Sequence, residues 1–208
     1  MNQRSHVFVI DDDPAVLRAL ERFIGSAGFS VEAFDSPLVF LESLPRPDVA
    51  ACLVLDLQLP GLSGLDLQNE LVHRGRPMSI VFLSGTGDIP SATKAMRGGA
   101  VDFLVKPVDE PQLLDAISRA LMQDEQRLQA EQAARAIDER MERLTKRERE
   151  VCGLVARGLL NKQIASELGT SEKTVKVHRG RMMRKLEVDS VAALVRLVSR
   201  HPRPPAAA

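Results

Sequence analysis

The chain has 208 residues, enough for two small domains that each bury a core, and its 28 Lys and Arg balance 28 Asp and Glu. The neutrality conceals a division: residues 1–143 hold 14 basic against 22 acidic side chains, a net of −8, while residues 144–208 hold 14 against 6, a net of +8. A basic C-terminal part points to a polyanion such as nucleic acid, and with no apolar stretch near the ~20 residues of a membrane span and no apolar core in MNQRSH, a cytoplasmic location without membrane partners is expected.

Four short runs rich in β-branched residues and Leu, at Val7 to Ile10, Cys52 to Leu55, Ser79 to Leu83 and Phe103 to Val105, alternate with helix-like stretches, and a weaker run lies at Val31 to Phe34. Continuous rather than alternating hydrophobicity means strands covered on both faces, and parallel strands need helical crossovers. The expected fold is a doubly wound α/β domain of five parallel strands over residues 1–122. Cys52 and Cys152 lack Cys-x-x-Cys spacing and are expected to be buried thiols.

The four strong runs end in residues that carry chemistry: Asp11 and Asp12, then Asp56, then Ser84, then Lys106. In an open parallel sheet these ends border the crevice where ligands bind. Packed carboxylates repel one another unless a cation intervenes, and an all-oxygen set without His or Cys favours Mg²⁺. Asp56, with a cation and the Lys106 ammonium beside it, is suited to attack phosphorus, while the adjacent Asp11 and Asp12 are suited to hold the metal, Asp12 directly and Asp11 through water. Asp13 is expected to point outward near the next helix's start. A single such Asp would more ordinarily just begin a helix; four coordinated strand ends argue otherwise.

The segments VIDDD, LVLDLQLPGLSG, FLSGTGD and GAVDFLVKP, in that order over residues 4–122, resemble the receiver domain of bacterial response regulators. The resemblance implies flavodoxin-like strand order 2-1-3-4-5, phosphorylation of Asp56 by a sensor histidine kinase, Mg²⁺ at Asp11, Asp12 and Asp56 with the main-chain carbonyl of Gln58, and Lys106 paired with the phosphoryl group. It also implies that Ser84 and Phe103 form a switch pair and that the Lys106-Pro107 peptide is cis. Enzymatic activity beyond self-phosphorylation and slow self-dephosphorylation at Asp56 is not expected.

From Pro111, LLDAISRAL reads as an amphipathic helix that continues, increasingly polar, as a helical linker over residues 123–143. Leu114, Ile117, Leu121 and Leu128 form a short heptad-like seam interrupted by Asp124 and Arg135, which suits either a solvated helix or a dimeric coil. Thr145 and Glu148 then have capping-box spacing, Gly158 and Gly169 fall where C-caps belong, and Asn161, Ser171 and Ser190 fall where N-caps belong. An all-α four-helix domain over residues 144–201 follows, and residues 202–208 are expected to be a disordered tail.

Its third helix is the most basic. Val175, Met182 and Leu186 share a face, with Lys173, Lys176, Val177, Gly180, Arg181 and Arg184 broadly opposite. Such a helix can enter the major groove of duplex DNA with Lys176 and Val177 reading bases, while Lys162, Ser171, Lys173, Thr174 and Arg181 hold phosphates. Taken singly, each of these cations could equally be a solvated surface charge. LTKREREV, GLLNKQIASELGTSEKTVKVHRGRMMRKL and VAALVRLV resemble the LuxR-type helix-turn-helix, and with the receiver they resemble the FixJ/NarL class of response regulators. By that resemblance Val191, Leu194, Val195 and Val198 help form a DNA-bound homodimer; ordinary core is the other reading. Some relatives carry a basic base-contacting residue at the position of Gly180, which costs about 1 kcal/mol of helix propensity here. His178 lacks a second His or Cys at ligand spacing and is expected to be packed or near phosphate rather than metal-bound.

The expected activity is phosphorylation-controlled transcription, in which modified Asp56 shifts Ser84 and Phe103, remodels the surface around Met96 to Gly99, promotes dimerisation and recruits RNA polymerase. Two rivals are an aspartyl-phosphate phosphatase, for which DLQLP lacks the second Asp of D-x-D-x-T, and a DNA-binding regulator whose receiver is only a scaffold.

Overall fold

The computed structural model describes residues 5–44, 49–85, 87 and 89–200; the expected disordered tail lies outside them. The chain divides into two compact units, Met1–Leu128 and Gln129–Ala208.

In the first unit five strands alternate with helices: β1 (His6–Ile10), α1 (Pro14–Ser26), β2 (Ser30–Phe34), α2 (Pro37–Ser43), β3 (Ala51–Asp56), α3 (Gly64–His73), β4 (Ser79–Ser84), α4 (Ile89–Arg97), β5 (Asp102–Val105) and the start of α5 (Glu110–Glu142). The strands form one parallel sheet in the order β2-β1-β3-β4-β5, as expected. Alternate residues of each strand face opposite layers. Phe8, Ile10, Leu53, Leu55, Ile80 and Phe82 pack against Phe40, Leu67, Leu71 and Ala95 from α2, α3 and α4. Val7, Val9, Cys52, Val54, Val81 and Leu83 pack against Leu17 and Ile24 of α1 and Leu113, Ile117 and Leu121 of α5. Double-sided burial explains why the strands read as unbroken apolar runs.

Ile117 and Leu121 are thus committed to the receiver core, so they form no part of a dimeric seam. Asp124, one turn on, is itself buried. Its Oδ2 accepts the backbone N–H of Ala51 at 2.9 Å and its Oδ1 the Nη2–H of Arg127 at 2.7 Å. On the other layer, buried Gln68 of α3 donates from Nε2 to the Ala95 carbonyl of α4 at 3.2 Å. Gly98 makes room for it, since a Cβ there would stand 2.5 Å from Gln68 Oε1.

The second unit contains the end of α5, then α6 (Lys146–Ala156), α7 (Asn161–Glu167), α8 (Glu172–Lys185) and α9 (Val191–Arg200). Their shared core includes Met141, Leu144, Val151, Ile164, Val175, Met182, Leu186 and Leu194. The Thr145–Glu148 capping box is present. Glu148 is buried, and its Oε2 also accepts from Lys185 Nζ at 2.6 Å. Burial pushes the Glu148 carboxyl up, but Lys185 and the Thr145 N–H together hold it below its usual range. Gly158 and Gly169 take left-handed φ values of 86° and 61° just after α6 and α7, ending those helices as expected. The capping of α7 needs a correction: Leu160 holds the N-cap position and Gln163 Oε1 accepts its N–H at 2.8 Å. Asn161 lies inside the helix and accepts from Arg179 Nη1 of α8 at 3.0 Å.

Candidate functional site

The chain passes from β1 to β2 on one side and reaches β3 on the other, so the carboxyl ends of β1 and β3 border the point where strand order reverses. Asp11 follows β1 and Asp56 closes β3, and both are buried, at 1% and 5% exposure. Lys106, just past β5, bridges them: its Nζ donates to Asp11 Oδ2 at 2.6 Å and to Asp56 Oδ1 at 2.7 Å. The second oxygen of Asp56 accepts the Gln58 N–H at 2.8 Å, and Asp11 Oδ1 accepts the Asp13 N–H at 3.0 Å. The Lys106-Pro107 peptide is cis, and the Lys106 N–H donates to the Ser84 carbonyl at 2.7 Å.

Burial pushes the Asp56 carboxyl above its usual range, opposed by Lys106 and the Gln58 N–H and reinforced by the Asp11 charge. Burial alone would lower Lys106, but its hydrogen bonds and attraction to both carboxylates carry it above the ordinary lysine value. Two buried carboxylates therefore share one ammonium, and negative charge at Asp56 is only partly compensated.

Asp12 is exposed, and among the described residues no three His, Cys, Asp or Glu side chains gather closely enough to form a metal centre. The expected trio of Asp11, Asp12 and Asp56 is thus not drawn together; an ammonium stands between two of its members. The donor set still fits Mg²⁺, because it is all oxygen and its charge is incompletely offset. Asp13 caps α1 by accepting the Ala15 N–H at 2.7 Å, pointing outward as expected.

Ser84 is fully buried at the end of β4. Phe103 of β5 is half-buried, its ring 6.4 Å from that of Phe82, and it helps line an open groove of about 630 Å³ with Gly87, Ile89, Ala92, Met96, Arg97 and Val105. Gly64 closes the segment LVLDLQLPGLSG but carried no individual role in the sequence, yet a Cβ there would stand 2.5 Å from the Asp56 carbonyl oxygen. Only glycine lets α3 start this close to the end of β3.

In the second unit α8 buries Val175, Met182 and Leu186 and exposes Lys173, Lys176, Val177, Gly180, Arg181 and Arg184, as the helical spacing requires. Lys162 on α7 is also exposed. Ser171 caps α8 by accepting the Thr174 N–H at 3.2 Å, and the two hydroxyls lie 2.9 Å apart, so both groups expected on phosphate already have partners within the chain. His178 is half-buried, and among the described residues its Nδ1 has no hydrogen-bond partner. The α9 stripe divides: Leu194 is fully buried in the unit's own core, Val191 and Val198 pack against it, and Val195 is 37% exposed. Leu194 is core and offers no surface for a second copy.

Family models match two segments: residues 7–118 as a response regulator receiver domain and residues 142–198 as bacterial regulatory proteins of the luxR family. The chain is 47% identical over 191 residues to Nodulation protein W of Bradyrhizobium diazoefficiens, covering 92% of this chain and 84% of that protein. It is 47% identical to the response regulator protein TodT of Pseudomonas putida, covering 96% and 87%, and 40% identical to the transcriptional regulatory protein FixJ of Bradyrhizobium diazoefficiens, covering 96% and 97%. Among solved structures, response regulator StyR superposes with a TM-score of 0.85 at 46% identity, covering 95% of this chain and all of that one. Full-length FixJ from B. japonicum gives 0.57 at 39%, covering 94% and 96%.

Proposed function

The chain belongs to the two-component response regulators that join a receiver domain to a LuxR-type DNA-binding domain, and on that premise we propose that Asp56 is its phosphoacceptor and phosphorylation its on-switch. The observation that carries this reading is the buried Asp56 carboxylate 2.7 Å from a Lys106 ammonium that it shares with Asp11. An Asp56 oxygen attacks the phosphorus of a phosphohistidine on a sensor histidine kinase. The P–N bond breaks as the P–O bond forms, and the histidine nitrogen keeps the electron pair. Lys106 follows the charge onto the phosphoryl oxygens. Asp11, Asp12, Asp56 and the Gln58 carbonyl would hold Mg²⁺, which supplies further charge compensation when bound.

Ser84 then turns toward the phosphoryl group and Phe103 repacks, altering the groove that Phe103 lines with exposed Ile89 and Met96. A change of packing on this face favours a homodimer, and paired α8 helices engage two half-sites of double-stranded operator DNA. Lys176 and Val177 read bases, with Lys162, Lys173, Arg181 and the capped Ser171–Thr174 turn near phosphates. RNA polymerase is the downstream partner, and activation of transcription the expected outcome. Among the described residues no helix is long and apolar enough to cross a membrane, consistent with work on DNA in the cytoplasm. Neither family match supports a phosphatase.

Acetyl phosphate with Mg²⁺ should add one phosphoryl group to the wild-type chain and none to Asp56→Asn, and operator affinity should rise only in the former. Equal affinity of Asp56→Asn and the phosphorylated protein for the operator would overturn the reading.

A further inference from the structure

Among the helices that lie wholly in the second unit, α7 is the shortest, and it buries only Ile164 and Ala165. Apolar packing is non-directional, so two such side chains do little to set the angle of a helix. Two guanidinium groups supply the direction. At the C-terminal end of α7, Arg147 of α6 donates from Nη2 to the carbonyl of Leu168, the C-cap residue, at 2.5 Å. In the first turn of α7, Asn161 Oδ1 accepts from Arg179 Nη1 of α8 at 3.0 Å. Arg179 stands eight residues past Ser171, about 12 Å along α8 from the turn that joins it to α7. At that distance a tilt of roughly 10° about the turn would shift Arg179 by roughly 2 Å, enough to break the bond.

The acceptor chosen for Arg179 has its own consequence. Arg140, Arg147 and Arg157 of the same unit each pair with a carboxylate, whereas Arg179 donates to a neutral amide. A carboxylate at position 161 would accept a stronger, charge-assisted bond. It would also set a negative charge next to the exposed Lys162, in a unit whose α8 exposes further cations. The amide ties α7 to α8 and leaves that positive charge undiminished. Such a tie suits a surface that must attract phosphates and yet hold its side chains at one inclination.

We propose that Asn161 and Arg179 are positioning residues for sequence-specific DNA binding, their hydrogen bond being a strut that sets the inclination of α8 on α7 without adding an anion. The inference rests on α8 being the groove-facing helix, and neither residue need touch DNA. Long Lys and Arg side chains can follow a phosphate when α8 tilts, whereas contacts to base edges are lost. Removing the strut therefore lowers discrimination between sequences more than attraction to DNA.

The test uses the full-length chain, a duplex selected by the wild type from a randomised pool and a scrambled duplex of the same composition, and reads the ratio of the two affinities at one fixed salt concentration. A variant that merely unfolds part of the population loses both affinities alike and leaves the ratio in place. Asn161→Leu and Arg179→Met are each expected to lower the ratio about tenfold, and the double variant to lower it no further, since both remove one interaction. Asn161→Asp keeps the acceptor and is expected to hold the ratio within about twofold while weakening both duplexes about tenfold through its charge. An unchanged ratio in Asn161→Leu, additive losses in the double variant, or a fallen ratio in Asn161→Asp would each overturn the proposal. So would equal losses on both duplexes in Arg179→Met with a salt slope reduced by about one, which would make Arg179 a phosphate contact. Lys176→Ala separates the two levels: if it weakens binding while the strut variants leave the ratio intact, the strut alone fails. If neither it nor they affect binding, the assignment of α8 fails as well.

Discussion

Asp124 of α5 and Ala51 of β3, 73 residues apart in sequence, are joined by a 2.9 Å hydrogen bond from the backbone N–H at the start of the strand to a buried carboxylate. The bond fastens α5 at the opposite end of β3 from Asp56. Asp124→Ala strands the Ala51 amide and removes the carboxylate that Arg127 donates to, and should cost the first unit about 3 kcal/mol. Asp124→Asn retains an acceptor for Ala51 and should cost less. Urea unfolding followed on the first unit checks both; an Asp124→Ala midpoint equal to wild type would show the bond to be incidental.

Asp56→Asn is expected to stabilise the first unit in metal-free buffer. Burial holds the Asp56 carboxyl above its usual range, so folding works against its ionised form at neutral pH. The neutral amide removes that cost, as is common when a functional group is replaced. A lower unfolding temperature for Asp56→Asn than for wild type would contradict the argument.

The second unit should weaken in acid through Glu148. Its folded carboxyl titrates below the ordinary glutamate value, because Lys185 and Thr145 outweigh the effect of burial. A depressed value means a contribution fully present above the unfolded value of about 4.3 and lost as pH falls through the folded value. Glu148→Gln should flatten that acid limb. Glu148→Ala, which removes the capping box and leaves Lys185 unpaired, should cost about 3 kcal/mol at neutral pH. Chemical unfolding across a pH series separates these effects.

Gly64→Ala should disturb the phosphoacceptor without touching its chemistry. The added methyl would stand 2.5 Å from the Asp56 carbonyl oxygen, so α3 or the end of β3 must move, at about 2 kcal/mol. Phosphorylation by acetyl phosphate, followed by mass, should slow markedly compared with the wild type. An unchanged rate would mean that the loop absorbs the shift.

The sequence carried most of the receiver because its strands are buried on both faces, which writes them as unbroken apolar runs ending in Asp56, Ser84 and Lys106. It carried less where a polar residue serves packing. Asp124 read as an interruption of an apolar seam, since nothing local indicates that the amide it pairs with lies 73 residues away. Asn161 read as a cap because of its type; Gln163 performs the task from three positions past Leu160, a half of the capping box that works without a hydroxyl at the first position. Asp12 read as the direct metal ligand and Asp11 as the one behind a water, yet Asp12 is exposed and Asp11 is buried against Lys106, because the chain leaves the sheet between them.

The Gln68–Gly98 contact also constrains how this protein can diverge. Gln68 fills the space where residue 98 would carry its first side-chain atom, while its amide holds the α4 carbonyl of Ala95. A lineage that gains a side chain at 98 must first shorten or reorient residue 68, and shortening 68 alone leaves a cavity and an unbonded carbonyl. The two positions are therefore expected to drift as a pair, with Gln and Gly retained or lost together across descendants of this sequence.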